Sequence, residues 1–406
     1  MKTSTVCMGL LAALSLPSAQ AANVEIRALF QPDSSQPGKN VFVNKTPSSG
    51  YCGSYPAECA ANNIFSIQLP VHFDGRQEIR AGDSISLKAP ANWRQLTVTN
   101  KDTQETEIVE VRIIGIGSDF MLSHSVIELT GETVERTAHQ KLWTSSSWVN
   151  TPAPCLYSGV GVFTKTSYRF FWKTPVEAAC TKVAAFTIPH MSFNTLDFAY
   201  ELRTPNPLGM SSGLYDGSLT YTLGPGGDFD LGPVFNPDDS SLTLDFVLDV
   251  QHTLKVDLPA GGNTVSLEPE GGWRSWIDSG RKPTRLYRDQ LFYISASTRF
   301  KVHMFCGNDG YADCMVRDPV SQRAAAVQLS ISLPNGLMGA DGQPVKRTYL
   351  RSGVVNALRI TPSAYVDRKP GTLHFDMSQS YIDYIVQPGM GGSYSGAITV
   401  VWDSET

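Results

Sequence analysis

Leu242-Thr243-Leu244-Asp245-Phe246-Val247-Leu248-Asp249-Val250 sets Leu242, Leu244, Phe246 and Leu248 at every second position. Successive side chains of a strand leave on opposite faces, so this period of two marks a strand with one buried face. Further strand-like runs recur along the chain at Val24–Phe30, Phe65–Val71, Ile108–Gly115, Ser125–Leu129, Ser218–Leu223, Leu254–Leu258, Ala326–Leu333 and Ala397–Trp402. Between them lie turn formers such as Pro225-Gly226-Gly227-Asp228, Pro259-Ala260-Gly261-Gly262-Asn263 and Met390-Gly391-Gly392. Helical signals are nearly absent. Many short strands joined by Gly- and Pro-rich turns predict an all-β sandwich or barrel.

The first residues predict export. Lys2 precedes an apolar run from Val6 to Leu16, followed by Pro17 and the small-x-small end Ala19-Gln20-Ala21. These are the parts of a secretory signal peptide over residues 1–21, with a mature chain starting at Ala22. The run is shorter than the roughly 20 apolar residues a membrane helix needs, and no later segment reaches that length. No cysteine follows the cleavage site, so a lipid anchor is not indicated.

Of the seven cysteines, Cys7 leaves with the signal. The remainder fall as Cys52/Cys59, Cys155/Cys180 and Cys306/Cys314. An even count in an oxidising compartment predicts disulfides, and pairing of neighbours is the simplest connectivity. Zinc fits poorly, since there is no Cys-x-x-Cys and no histidine at ligand spacing.

A net charge of -5 with scattered Lys and Arg argues against nucleic acid as a partner. The mature length predicts two to three domains. A border is placed at His252, giving residues 22–252 and 253–406.

Catalytic signatures are missing or out of context. Gly209-Met210-Ser211-Ser212-Gly213 matches the G-x-S-x-G nucleophile elbow. That elbow needs a strand before it and a helix after it, whereas Pro205 and Pro207 precede it and strand-like Leu219–Leu223 follows. It reads as a turn. No metalloprotease, phosphate-loop, dinucleotide or EF-hand motif occurs, and the seven histidines are dispersed. No catalytic residue, metal or cofactor is expected.

Aromatic residues crowd around Cys155: Trp143, Trp148, Tyr157, Phe163, Tyr168, Phe170, Phe171 and Trp172. Most belong in a core. Trp143 and Trp148 stand apart because Lys141–Trp148 is polar and Ser-rich, and tryptophans in such loops often meet a partner. They are the candidate receptor contacts.

The chain ends Gly392-Ser393-Tyr394-Ser395-Gly396-Ala397-Ile398-Thr399-Val400-Val401-Trp402, four residues short of Thr406. Read as one strand, Tyr394, Ile398, Val400 and Trp402 share a face. An apolar strand at an exposed edge is an aggregation liability unless something pairs with it.

This ending resembles the G-x-Y-x-G-x-I-x-[IV]-x-[FW] terminus of chaperone–usher pilins and tip adhesins, and above all of the two-domain tip subunits of alpha-type (colonisation-factor class) fimbriae. Leu329–Gln343 is similar to that family's pilin-domain strand and Asn/Gly loop. Tyr215-Asp216-Gly217-Ser218-Leu219-Thr220-Tyr221 is similar to a strand common in fimbrial subunits, and Cys52/Cys59 and Cys155/Cys180 resemble the adhesin domain's two disulfides in order. The likeness covers the last 150 or so residues well and the first part in patches. The basic residues associated with the family's receptor site have no matching arginine cluster here.

The resemblance implies two tandem Ig-like or jelly-roll β-sandwich domains. The first would bind a host or surface receptor such as a glycan. The second would be an incomplete Ig-like pilin domain, lent a strand first by a periplasmic chaperone and then by the next pilin subunit at an outer-membrane usher. Tyr394, Ile398, Val400 and Trp402 would flank the groove and the Thr406 carboxylate would meet the chaperone. The protein would travel through the periplasm to a fimbrial tip on the cell surface. A minor pilin or assembly initiator without a receptor is the first rival, and Val24–Phe30 could be its free donor strand. A secreted β-sandwich carbohydrate-active enzyme is the second.

Overall fold

The computed structural model describes residues 22–157, 159, 161–306, 312–387 and 391–404. The expected signal peptide and Thr406 lie outside the described residues. The strand Thr106–Leu122 organises the first half. Arg94–Asn100 and Ser167–Lys173 pair with successive stretches of one flank, and Leu196–Arg203 and Met191–Phe193 with the other. A strand this long, with two different neighbours in succession on each flank, passes from one layer of a folded sheet to the next. Gly117 lies at the crowded point of this passage, where a Cβ would sit 2.6 Å from the Phe170 carbonyl oxygen. Only glycine permits that approach.

From this hub the sheet continues through Gly213–Thr222 and Ser241–Val250 to the first described strand, Ala22–Phe30. Leu242, Leu244, Phe246, Leu248 and Val250 are all buried, as their alternation requires. Ala22–Phe30 runs parallel to Ser241–Val250, with Ala22 opposite Leu242 and Phe30 opposite Val250. Its other flank is partly covered by Val43–Asn44. Ile26, Ala28 and Phe30 enter the same core, so this strand is already committed.

The sheets change at the short link after Val250. From Leu254 onward a seven-stranded sheet follows the order Leu254–Asp257, Leu286–Ala296, Val366–Met377, Ala324–Ser332, Cys314–Arg317, with short strands paired beside it. Facing it is a four-stranded sheet of Leu337–Gly339, Leu358–Pro362, Phe300–Cys306 and Ile398–Ser404. Phe292, Ile294, Phe300, Val302, Met304, Leu329 and Ile331 form the buried layer of this half. Three disulfides join Cys52 to Cys59, Cys155 to Cys180 and Cys306 to Cys314.

Two readings of the sequence are corrected here. Ser125–Leu129, expected as a strand, is a turn of helix over Val126–Thr130. The Ser125 hydroxyl accepts the Glu128 N–H while the Glu128 carboxylate accepts the Ser125 N–H, a reciprocal cap that outweighs the β-leaning Val and Ile. Other helices, such as Glu135–Lys141 and Gln379–Ile385, are equally short.

The second correction concerns Trp143 and Trp148. They are 2% and 0% exposed and belong to the core. Trp148 stacks on Trp172 at 5.0 Å and also meets Phe120, Phe170 and Trp143. The Trp172 indole N–H donates to the Trp148 carbonyl at 2.7 Å. The serines between the two tryptophans misled because their polarity serves an internal partner. The fully buried Lys182 ammonium donates among the carbonyls of Ser145, Ser146, Ser147 and Asn150 and the Ser145 hydroxyl, at 2.6–3.3 Å. Burial pushes this ammonium down to about 8.

Candidate functional site

The site is the seam between the open edges of the two C-terminal sheets. Ile398–Ser404 pairs antiparallel with Phe300–Cys306, setting Trp402 opposite Val302, Val400 opposite Met304 and Ile398 opposite Cys306. Directly opposed residues of an antiparallel pair point to the same face. Val302 and Met304 are completely buried, whereas Ile398, Val400 and Trp402, facing the same core, are only partly covered. The difference comes from the flank. Among the described residues no strand pairs on the outer side of Ile398–Ser404, which ends its sheet.

The facing sheet repeats this arrangement. Leu254–Asp257 is an end strand, with Leu254 opposite Ala296 and Val256 opposite Ile294. Ala296 and Ile294 are fully buried, while Leu254 and Val256 pack only partly against the same core. Trp402 reaches across to Phe292 of the facing sheet, ring centres 5.1 Å apart, and lies 6.0 Å from Phe300. Two apolar rows, each on the end strand of its sheet among the described residues and each packed partly on the one core, make up the seam. No ionisable side chain stands in either row, so the seam presents apolar surface and unpaired backbone.

Tyr394 does not share the strand, contrary to the sequence reading. The strand begins at Ile398, and the preceding segment crosses to Cys314–Arg317, where Ser395 and Arg317 exchange backbone hydrogen bonds. The glycines of the terminal motif serve this crossing: a Cβ on Gly396 would sit 3.0 Å from the Met315 carbonyl oxygen. Leu254 and Val256, which pack on the same core from an end strand of the facing sheet, are legible in the sequence as strand residues but not as site residues. The Leu254-Lys255-Val256-Asp257 alternation carried that signal.

The G-x-S-x-G segment is a turn. Pro207–Gly209 is a single 3-10 turn and Gly213 begins a strand. The Ser211 N–H donates to the Glu105 carboxylate and the Tyr215 hydroxyl, both at 2.9 Å. Among the described residues there is no metal-ligating cluster and no helix long and apolar enough to cross a membrane.

No family model and no curated protein matches the chain. Among solved structures it is similar to a chaperone–tip adhesin complex of CFA/I fimbriae biogenesis, at 11% identity, with 95% of this chain and 97% of that chain covered and a TM-score of 0.28. It is similar also to CfaE, the adhesive subunit of CFA/I fimbria of enterotoxigenic Escherichia coli, at 10% identity, 95% and 94% coverage and a TM-score of 0.28. A third is the CsuC–CsuE chaperone–tip adhesion subunit pre-assembly complex from archaic Csu pili of Acinetobacter baumannii, at 9% identity, 95% and 99% coverage and a TM-score of 0.23.

Proposed function

We propose that this protein is a fimbrial tip adhesin: residues 22–252 bind a surface receptor, a glycan, and residues 253–406 join the fibre by accepting a strand into the seam. A periplasmic chaperone would fill the seam first and the next pilin subunit would replace it at an outer-membrane usher. The observation that carries the reading is the partial burial of Leu254, Val256, Ile398, Val400 and Trp402 beside buried strand partners. An added strand gains main-chain hydrogen bonds along the edge and pockets for alternate side chains. Covering several such residues is worth about 1.5–3 kcal/mol for each side chain taken from full exposure, and part of that for these.

The N-terminal strand favours an adhesin over a minor pilin. A subunit that donates a strand needs a free one, and Ala22–Phe30 is held in parallel register with its core row buried. A subunit that accepts a strand and donates none belongs at a fibre's tip, on the cell surface. No catalytic role is proposed.

The test is thermal unfolding of the full mature chain with and without a fused C-terminal donor strand of alternating apolar residues. Fusion should raise the melting of the C-terminal sheets, and Val400→Asp should cancel the gain. An unfused chain that is monomeric and equally stable would mean that the seam is already closed, and the assembly reading would fail.

A further inference from the structure

The first domain holds a cavity of about 330 Å³ beside the Glu135–Lys141 helix, at the sheet edge formed by Leu156–Tyr157 and Val162–Phe163. We infer that this cavity, resting on the adhesin reading above, is the receptor site and that it takes a carboxylate-bearing sugar ring. Its volume is at the small end of ligand pockets, roughly 300–1,000 Å³, which suits one ring better than an extended peptide.

Four observations carry the assignment. The walls are aromatic: Phe163 stacks on Tyr168 at 5.8 Å, and half-exposed Tyr157 stands at the mouth. A sugar's apolar ring face packs on such surfaces while its hydroxyls reach polar neighbours, here Gln140 and Asn150. The second observation is charge. Arg136 lines the cavity, exposed, and among the described residues no carboxylate pairs with it. It lies over the Phe163 ring, whose centre is 5.9 Å from the guanidinium carbon. A planar guanidinium with no carboxylate partner among the described residues is suited to a bidentate grip on a ligand's carboxylate. Glu58 is the nearby counter-charge, packed behind Gly159 rather than lining the cavity.

Third, His139 lines the cavity, is 1% exposed, and donates from Nε2 to the Thr164 carbonyl at 2.8 Å. Its Nδ1 is buried without a protein partner. The Nε2 bond fixes the ring in the cavity wall, so this wall is held in place before a ligand arrives. Fourth, the wall supplied by Ser147, Val149 and Asn150 is rigid. Lys182 pins its backbone through the oxygens of Ser145, Ser146, Ser147 and Asn150, so little ordering is left for binding to oppose.

The experiment uses the full mature chain and ligand-observed saturation-transfer NMR with two methyl glycosides that differ only at C6, methyl glucuronide and methyl glucoside, and with N-acetylneuraminic acid. The acids should bind and the glucoside should not. Arg136→Gln should weaken the acids by at least about tenfold, as for loss of a charge-assisted contact, with an unchanged melting temperature because Arg136 is exposed. Tyr157→Ala should weaken all binding. Equal binding of glucuronide and glucoside, or acid binding unmoved by Arg136→Gln, would overturn the assignment, as would no binding of any of the three at millimolar concentration. Cell adhesion by the intact protein separates the two readings. Adhesion that survives Arg136→Gln leaves the adhesin standing and removes this cavity, whereas acid-sugar binding without any adhesion keeps the cavity and removes the adhesin.

Discussion

At the scale of single residues, buried polar groups are held in one state by their partners. Lys182 spends its three protons on five oxygens of one loop, so Lys182→Met should leave several buried carbonyls without donors. A loss of about 2–4 kcal/mol by urea denaturation at neutral pH is expected. Trp148 packs among five other rings and is completely buried. Trp148→Ala should cost about 3–5 kcal/mol, seen as a lower urea midpoint before any change in ligand binding. His139 gives a pH dependence of known sign. Burial pushes its imidazole below the ordinary 6.5, so it stays neutral when folded. As pH falls below 6.5 the unfolded chain takes up a proton that the folded chain refuses, so this contribution is fully present above that pH and is lost below it. The denaturation midpoint should drop between pH 6.5 and 5, and His139→Gln, which can still donate to Thr164, should show a shallower drop.

The helices here are short, and their ends decide them. A two-way cap converts Ser125–Thr130, rich in Val, Ile and Thr, into helix, and an S-x-x-E spacing was its visible mark. At the other terminus, backbone proximity shapes the approach to the last strand. Gly396→Val would drive a branched side chain toward the Met315 carbonyl and should cost about 1–3 kcal/mol. It should also loosen the Ser395–Arg317 bridge, which hydrogen exchange at those two amides would report. Val400→Asp acts differently: it leaves the strand paired to Phe300–Cys306 and spoils the row offered to an incoming strand.

Across the whole molecule, the link between the two halves is tied by directed hydrogen bonds. The Thr253 N–H donates to Ser297 Oγ at 2.9 Å, Ser297 Oγ lies 3.1 Å from His252 Nδ1, and His252 Nε2 donates to the Met210 carbonyl at 2.9 Å. Arg299 reaches Glu105 at 3.4 Å, whose carboxylate also accepts the Tyr215 hydroxyl at 2.6 Å. Removing both ties, as His252→Ala with Arg299→Ala, should broaden the distribution of interdomain angles in small-angle scattering while each half keeps its own unfolding transition. A scattering curve identical to that of the wild type would mean that the link is stiff without them.

The alternation of Leu242, Leu244, Phe246 and Leu248 was enough by itself to give a half-buried strand, and the recurrence of such runs gave an all-β chain. Period two states which side of a strand is apolar, because it follows from backbone geometry alone. It cannot state whether the flank beside that strand is filled. Leu244 and Val400 read alike in the sequence, yet Leu244 is completely buried between two paired strands and Val400 is half-covered at an edge. Only the tertiary structure brought Leu254 and Val256 onto the same core as Ile398, Val400 and Trp402, across more than a hundred residues of chain. It also decided Trp143 and Trp148. A Ser-rich stretch looks like a wet loop until an ammonium from residue 182 satisfies its carbonyls inside the protein, and that pairing follows from the fold rather than from neighbours in sequence.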